Sequence, residues 1–388
     1  MRFTLKELLI FMACFSCFVD QAFPQSISQE GPTLGRKVRN LGMGNTGVAL
    51  YGDHDSSPFY NPAGLNDLEK GRFQFFTNTI DVSRRSIALL KDIKNLAQDV
   101  DDAPTDADRT RVLNNFIQDN TGEFNHFRYS LEIFNYSRRN FAAGLLMDER
   151  LDLSFRERVP QQFDIRNLGD ISVYAAGAHD FWDKLLQVGI TLKPTVRFSL
   201  NEGEDQEVTF ADVIGEDTNG DPLLVSQFKN IYKKRHFGLV ADLGLKSNLA
   251  IPGFKSLPGY SYLKPQFGLT WQDIGSPSFG SAPGNEHSIS VGFAVHPDVW
   301  KLKNAVAIDF RDLNQERDIL SKFHFGLESK LPWVLTLRAG VSQGYFSGGA
   351  TFDLWIVKLD GALYFEETGI RTVQHGNMRW AATLSFNI

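Results

Sequence analysis

The sequence predicts an all-β protein, a transmembrane antiparallel β-barrel of about fourteen strands. Its 388 residues are 42% hydrophobic and 12% aromatic, with 32 Phe, which is too apolar for a disordered chain and favours β structure. It lacks an uninterrupted apolar run of about 18 residues, which excludes a helical membrane protein. From about residue 71 to the end, apolar and polar residues alternate with a period of two, as in β-strands.

The N-terminus predicts export. Arg2 and Lys6 precede an apolar run at 8–19, which then gives way to polar residues. This is the pattern of a secretory signal peptide, assigned to residues 1–25, and the alternative is a buried first helix. Both cysteines, Cys14 and Cys17, lie in this run. The mature chain would therefore have no disulfide framework, thiolate nucleophile or cysteine metal site.

The clearest strand is 186–199, where every even position is apolar, including Pro194, and every odd position is polar or small. The last segment, 377–388, repeats the pattern. Charges fall on the polar side of these strands, as expected for a barrel with an apolar outside and a wet interior. A soluble half-buried sheet is the alternative, but its strands would be shorter. The predicted lumen-facing residues are Lys193, Arg197, Asp309, Arg311 and Arg338.

The strand count and the connections support one another. Long connections fall mostly on the predicted external side and short ones on the periplasmic side, with 247–261 and 343–344 as exceptions. An even count returns the C-terminus to the periplasm. The strands are predicted at 71–80, 126–136, 140–156, 170–181, 185–199, 234–246, 262–272, 287–296, 303–312, 319–329, 333–342, 345–354, 356–366 and 377–388.

Residues 81–125 interrupt the barrel pattern. Two sets of apolar residues recur there at helical spacing: Leu89, Ile93, Leu96 and Val100, then Val112, Leu113, Phe116 and Ile117. A break at 101–104 separates them, and Thr105 with Asp108 can cap the second helix. We expect a helical external insertion whose apolar faces either pack on one another or collect ligand at the barrel mouth.

The segment before the barrel, residues 26–70, has a different character. Gly42, Gly44 and Gly47 fit G-x-G-x-x-G, but the strand and helix that a dinucleotide site needs around this motif are missing. Glycines instead allow close backbone approach in a crowded lumen. Asn61-Pro62 adds a fixed turn, because proline pins its own φ and favours an extended residue before it.

These residues carry a family resemblance. GMGNTGVAL at 42–50, followed by GDHDSSPFYNPAGL at 52–65, resembles the FadL/TodX outer-membrane transport proteins, which include PorV-like and spirochaetal FadL-like barrels. The resemblance is specific over about residues 35–75 and architectural beyond. It implies a barrel at 71–388 in the bacterial outer membrane, closed by an N-terminal hatch at 26–70. Asn61, Pro62 and Ala63 match the family's motif inside that hatch.

The resemblance also implies a function. Members pass hydrophobic small molecules such as long-chain fatty acids, so we expect such a ligand, an apolar pocket near the hatch and contact with outer-membrane lipid. PorV-like members serve protein secretion, which leaves an accessory or purely structural barrel as the alternative. We further expect a monomer whose C-terminal strand meets the barrel-assembly machinery. A formal charge of −6 gives no support for a nucleic-acid partner.

Signals for catalysis are weak. Gly340 to Gly344 fit G-x-S-x-G, but strands flank the motif on both sides, whereas a nucleophile elbow needs a strand and then a helix. Residues 217–222 resemble part of a calcium loop without its twelfth-position Glu. The eight histidines show no paired ligand spacing. No cofactor, metal or catalytic residue is therefore expected, and an outer-membrane enzyme is the less favoured class.

Overall fold

The protein is a closed barrel of fourteen antiparallel strands. The computed structural model describes residues 33–156, 162–199, 208–209, 234–250, 252–299, 302–369 and 371–387. The predicted signal peptide and the turn at 217–222 lie outside these ranges. The strands are β1 (Arg72–Ser83), β2 (Phe124–Arg138), β3 (Phe141–Arg156), β4 (Gln162–Phe181), β5 (Leu186–Ser199), β6 (His236–Ser247), β7 (Gln266–Gln272), β8 (Ser288–Val295), β9 (Leu302–Phe310), β10 (Phe323–Lys330), β11 (Leu335–Ser342), β12 (Tyr345–Asp353), β13 (Val357–Glu367) and β14 (Gly376–Asn387).

Each strand pairs with its neighbours in the sequence, and β14 pairs back with β1 to close the ring. The closing ladder aligns Thr79 with Thr383, whose hydroxyls are 2.7 Å apart. Two short ladders, Val208–Thr209 on β4 and Asp298–Val299 on β9, extend the rims. The predicted count of fourteen strands is confirmed.

Three strand starts differ from the predicted start by four or more residues, among them that of β10, which begins at Phe323 rather than 319 because a 3-10 helix at Ile319–Lys322 precedes it. β4 begins at Gln162 rather than 170, because residues 162–169 pair with β3. The alternation is hard to see in this part, because residues on both faces are buried: Ile165 and Asn167 on one face and Leu168 on the other. β7 begins at Gln266 rather than 262, because a helical turn at Tyr260–Leu263 precedes it. Left-handed backbone at Gly259 and Lys264 bounds that turn and delays the strand.

The two faces of the wall have opposite character. In β5, Thr191, Lys193 and Thr195 point inward and are buried, whereas Ile190 and Leu192 point outward and are exposed. The same division recurs around the ring, with apolar side chains outside and most charged ones inside. An apolar outer face around a polar interior is the pattern of a barrel that spans a membrane.

Inside the ring lies the N-terminal segment, which we define as residues 33–68. It contains two short helices, α1 (Val38–Gly42) and α2 (Ser57–Tyr60), and a 3-10 helix at Pro62–Asp67. Wall residues all around the ring contact it: Glu132 of β2, Thr191 of β5, Asp309 of β9 and Glu366 of β13. A segment that touches strands on every side of a closed ring must lie in the lumen.

The connections divide between two rims. One rim, the loop rim, is where the chain leaves β1, β3, β5, β7, β9, β11 and β13, and its described connections include 84–123, 273–287, 311–322 and 343–344. The other, the turn rim, carries 139–140, 182–185, 248–265, 296–301, 331–334 and 354–356, together with both ends of the barrel. The two expected exceptions are present. The connection at 248–265 is long because it holds two helical turns, α5 (Pro252–Lys255) and α6 (Tyr260–Leu263), and that at 343–344 is short.

The helical insertion stands on the loop rim. Helices α3 (Arg84–Asp101) and α4 (Asp106–Asn120) form the predicted pair, and the Thr105 hydroxyl accepts the Asp108 N–H as expected of a cap. Leu89 and Ile117 are almost fully buried, so the helices use these apolar residues for packing rather than presenting them to solvent. Within the described residues, no helix is both long and apolar enough to cross a membrane.

Candidate functional site

The glycine-rich part of the N-terminal segment approaches the wall through its backbone. The Asp309 carboxylate accepts N–H bonds from Gly47 at 2.6 Å and Val48 at 3.0 Å. Gly44 has a φ of +65°, and a Cβ there would lie 2.4 Å from the Phe325 carbonyl oxygen. Gly42 faces the Gly349 backbone, which a Cβ would meet at 3.1 Å. A side chain at Gly44 would therefore strain the backbone and collide with the wall.

The wall also has glycines where it contacts the N-terminal segment. Three cross-strand pairs, which we call the glycine pairs, point into the lumen: Gly189 with Gly244, Gly268 with Gly292, and Gly326 with Gly340. A Cβ on Gly244 would lie 2.1 Å from Asn61 Oδ1, and one on Gly340 would lie 2.2 Å from the Gly44 nitrogen. Because glycine leaves the wall without side chains there, the two backbones can touch.

The Asn61-Pro62-Ala63 turn rests on the first glycine pair. The Asn61 amide donates to the Val48 carbonyl at 2.6 Å and to the Leu245 carbonyl at 3.1 Å. Its oxygen accepts the Ala63 N–H at 3.1 Å, which caps the 3-10 helix that follows. Asn61 thus joins two parts of the N-terminal segment to one wall strand. The gating role expected for these residues stays a prediction.

Buried ion pairs hold the segment from several directions. Arg39 reaches Glu328 of β10 at 2.7 Å and also pairs with Asp53. Glu328 in turn accepts a bond from Arg338 at 2.7 Å, which places this expected lumen residue beside the segment. Lys246 bonds to Asp67 at 2.5 Å. Burial alone would raise the pKa of Asp67, but the Lys246 ammonium and bonds from Gly52 and Gln187 lower it.

The other expected lumen residues also make specific contacts. Arg311 donates to the Asn45 carbonyl at 2.9 Å and lies 5.2 Å from the Tyr60 ring centroid. Lys193 bonds to Asp242 at 2.6 Å and lies 3.6 Å from Asp273. Burial raises the pKa of Asp273 to about 6, although the Lys193 ammonium opposes that shift.

Arg197 holds a connection that turns into the barrel. It forms two bonds with Asp170, the shorter at 2.7 Å, and its guanidinium lies 4.0 Å from the Phe279 ring centroid. It also donates to the Pro283 carbonyl. Phe279 is fully buried and contacts Gly238 on the inner wall. We call residues 273–287 the inward loop. The connection lies on the loop rim with the other connections predicted to be external, and part of it turns into the barrel.

An apolar cluster lies between the N-terminal segment and the inward loop. Leu146, Tyr174 and Val240 point inward from β3, β4 and β6, unlike the polar residues that line most of the lumen. Phe59 packs edge-on against Tyr174, with ring centroids 4.8 Å apart. The apolar cluster comprises Leu34, Phe59, Tyr60, Leu146, Tyr174, Val240, Phe279 and Ala282.

The wall is incomplete beside this cluster. β7 pairs only with 243–247 of β6, and beyond that point the Ile274 N–H bonds to the Ala241 carbonyl as the chain turns inward. Among the described residues, no strand pairs with 236–240 on this side. Phe237 and Leu239 face outward there and are 69% and 56% exposed. Only the inward loop therefore separates the apolar cluster from the outer face within the described part of the chain.

The space left in the described lumen is small and polar. A cavity of about 60 Å³ opens on the loop-rim side of the N-terminal segment, bordered by Arg36, Asp273, Arg311, Arg317 and Glu366 among others. Small-molecule pockets usually enclose about 300–1,000 Å³. This cavity is therefore too small for such a ligand. In the residues described, no group of His, Cys, Asp and Glu could hold a metal ion.

Comparison with known proteins identifies the fold. No protein-family model matches the sequence, and no curated protein sequence does. A solved structure of a deltaS2 mutant of the TodX monoaromatic hydrocarbon channel aligns with a TM-score of 0.52 at 12% identity, covering 92% of this chain and 100% of that one. The Ralstonia pickettii toluene transporter TbuX aligns with a TM-score of 0.49 at 13% identity, covering 92% and 98%. At such low identity the likeness concerns the fold alone: the chain has a barrel fold similar to that of the TodX channel.

Proposed function

We propose that the protein is an outer-membrane channel for small hydrophobic molecules, closed in the described state by its N-terminal segment. The observation that carries the proposal is the apolar cluster, to which three wall strands contribute large side chains, whereas the wall contributes mostly alanine to the other apolar clusters of the lumen. Buried apolar side chains next to an interrupted wall offer a binding surface that a hydrophobic compound can enter by displacing the inward loop. The apolar outer face supports the membrane location.

The fold likeness to TodX and TbuX supports the same class of cargo, because those proteins are described as monoaromatic hydrocarbon and toluene channels. Toluene and a long-chain fatty acid such as oleate are therefore the two probes to compare. The cluster is a compact group of side chains, three of them inward-facing wall residues, which favours a compact ring over an extended chain. Long-chain fatty acids remain the broader expectation from the sequence. No catalytic step and no cofactor form part of the proposal.

The test is uptake by vesicles that contain the purified protein. Val240→Asn puts an amide in the apolar cluster, and we expect toluene uptake to fall about tenfold, because an unpaired buried amide costs about 1–3 kcal/mol. The matched control is Leu50→Asn, a similar change at a buried residue of the N-terminal segment that lies outside the apolar cluster. Equal effects of the two variants would contradict a binding role for the cluster.

A second candidate function is an accessory or structural barrel without transport, as in PorV-like proteins. The observation in its favour is the small polar cavity, which in the described state admits no ligand of useful size. The vesicle experiment separates the two functions. Uptake by the wild-type protein no faster than by protein-free vesicles, for toluene and oleate alike, would favour the second. The expected contact of β14 with the barrel-assembly machinery and the monomeric state belong to both proposals.

A further inference from the structure

One side chain of the apolar cluster carries a polar group that is left unpaired. Tyr174 on β4 is fully buried, and its hydroxyl has no hydrogen-bond partner among the described residues. A buried tyrosine hydroxyl usually finds a partner, because leaving it unpaired in apolar surroundings costs free energy. Tyr364 on β13, which is also buried, follows this rule and donates its hydroxyl to Asp81 at 2.5 Å. The Tyr174 hydroxyl is therefore open to a molecule that enters the cluster.

The local backbone places this hydroxyl beside a second polar side chain. Gly144 on β3 pairs with Tyr174, and a Cβ on Gly144 would lie 2.9 Å from the Tyr174 oxygen, so the missing side chain makes room for the phenol. Opposite Gly144, β2 has a bulge at which Phe134 has a φ of +54° and faces outward, while Asn135 faces inward and is buried. A bulge of this kind redirects a side chain and is frequent next to functional sites.

Asn135 offers an acceptor next to the tyrosine donor. Its amide nitrogen donates to Gln74 Oε1 at 3.0 Å and to Glu132 Oε2 at 3.1 Å, which uses both of its hydrogens. Its Oδ1 is buried and accepts no hydrogen bond from the part of the chain that the structure describes. Asn135 lies close to the Tyr174 hydroxyl, but the geometry between them is not that of a hydrogen bond. One donor and one acceptor thus stay open side by side.

The charges nearby favour an uncharged ligand. Glu132, which accepts the Asn135 amide, forms a buried ion pair with Lys37. Lys37 lies 4.4 Å from the Phe59 ring centroid, next to the apolar cluster. A carboxylate ligand would have to compete with Glu132 for this lysine. An uncharged polar group avoids that competition, because it needs hydrogen bonds but no counter-ion.

We propose that the apolar cluster binds small neutral aromatic alcohols, with the ring among the apolar side chains and the hydroxyl between Tyr174 and Asn135. The ligand hydroxyl accepts the Tyr174 hydrogen and donates its own to Asn135 Oδ1, which fills both open positions. The proposal rests on the channel function given above and specifies the class of ligand. A phenol with one small substituent, such as p-cresol, satisfies both polar atoms, whereas a hydrocarbon leaves them unpaired.

The test compares p-cresol with p-xylene, which has a methyl group in place of the hydroxyl. Their affinities for the full chain in detergent are measured by isothermal titration calorimetry. Tyr174→Phe removes the hydroxyl and keeps the ring, so we expect the affinity for p-cresol to fall about fivefold and that for p-xylene to stay the same. Binding of p-xylene with an unchanged ratio between the two ligands would overturn this proposal alone. Failure of the wild-type protein to bind either compound would overturn the channel function as well.

Tyr364→Phe is the matched control, because it removes a buried hydroxyl of the lumen that lies outside the apolar cluster. It should lower the thermal denaturation temperature, since Asp81 loses a donor, and leave the ratio of the two affinities unchanged. Tyr174→Phe should leave the denaturation temperature the same or raise it. A fall equal to that of Tyr364→Phe would show that the Tyr174 hydroxyl is bonded within the protein and refute the proposal.

A third ligand tests the preference for a neutral group. p-Toluate has a similar ring and methyl group but carries a carboxylate, and we expect the wild-type protein to bind it at least about tenfold more weakly than p-cresol. Tighter binding of p-toluate than of p-cresol would mean that Lys37 receives the ligand, and the proposed class of neutral alcohols would be wrong.

Discussion

The N-terminal segment meets the barrel wall in two different ways, and strand β6 takes part in both through Gly244 and Val240. At the glycine pairs, its backbone lies directly on the wall backbone and leaves no room for one added carbon. At the apolar cluster, it meets the wall through the side chains of Leu34, Phe59 and Tyr60. Backbone contacts are fixed by the geometry of the ladder, whereas side chains can change rotamer. The backbone contacts at the glycine pairs therefore hold the segment in place, whereas the side-chain contacts at the apolar cluster allow the lumen to adapt to a ligand.

The ion pairs near the glycine pairs also differ from those near the apolar cluster. Around the glycine pairs, ion pairs join the segment to wall strands, as Arg39 does with Glu328 and Lys246 with Asp67. Beside the apolar cluster, Arg197 joins one wall strand to the inward loop, which belongs to the barrel itself. Opening the lumen at the apolar cluster would therefore leave the attachment of the N-terminal segment intact.

The largest effect is expected from side chains placed on the glycine pairs. Gly244→Val with Gly340→Val puts Cβ atoms against Asn61 and the Gly44 backbone, which cannot move aside without leaving the wall. Overpacking costs about 1–3 kcal/mol at each site. We expect the N-terminal segment to leave the lumen, so that conductance in planar bilayers rises from near zero to that of an open pore.

Gly361→Val is the matched control for this change. It lies in β13, where a Cβ would meet nothing within 4 Å, so the closed state should survive. Conductance that rises equally in both proteins would mean that valine weakens the strands generally. A closed double variant would show that the glycine pairs do not position the segment.

Much of the wall could be predicted from the sequence, because alternation is a local property. Fourteen strands and the capped helix at Thr105 follow from neighbouring residues. The close backbone approach at Gly42, Gly44 and Gly47 could be anticipated from their composition. The partners of these glycines could not, since they depend on which strands pair and how the ring closes. The glycines of the wall, such as Gly244 and Gly340, occupy inward-facing positions of the alternating strands. This placement was the feature of the sequence that could have indicated a close contact with the N-terminal segment.

The inward loop explains why the apolar cluster could not be predicted from the sequence. Sequence places 273–287 among the external connections, and its length and turn residues support that assignment. It is held inward by the contact of Arg197 with Phe279 and by the ion pair of Lys193 with Asp273 at 3.6 Å, each of which joins residues about 80 positions apart in the chain. Lys193 and Arg197 were expected to face the lumen, but nothing local revealed what they would hold.

A smaller effect is expected when lysine replaces Arg197, because the positive charge stays but the planar guanidinium group is lost. Arg197→Lys can still neutralise Asp170, but it lacks the planar group that lies on Phe279 and reaches the Pro283 carbonyl. The loss should amount to about 1–2 kcal/mol, and the inward loop should open more often. Hydrogen exchange in 274–285 should speed up severalfold, while exchange in 42–50 stays unchanged. Faster exchange in both regions would contradict independent opening of the apolar side.

The smallest effect concerns a side chain that supports the segment by a hydrogen bond. His296, at the end of β8, accepts the Tyr51 N–H at its Nε2 over 3.1 Å, which requires that nitrogen to be unprotonated. Burial lowers the pKa of His296 from 6.5 to about 4, and nearby Lys246 and Arg39 add to the shift while Asp67 opposes it. Since the unfolded state takes up the proton first, the stabilisation present above about pH 6.5 is lost as the pH falls towards 4.

Hydrogen exchange at Tyr51, corrected for the intrinsic effect of pH, follows this loss. Protection in the wild-type protein should fall between pH 6.5 and 4, whereas His296→Gln should remain nearly flat, because the amide oxygen accepts the same bond and does not titrate. Protection at 42–47, next to Gly326 and Gly340, should not change in either protein, since those contacts involve backbone atoms. If both proteins lose protection at Tyr51 over the same range, the acid sensitivity lies in the carboxylates that pair with the segment, and His296 only fills space.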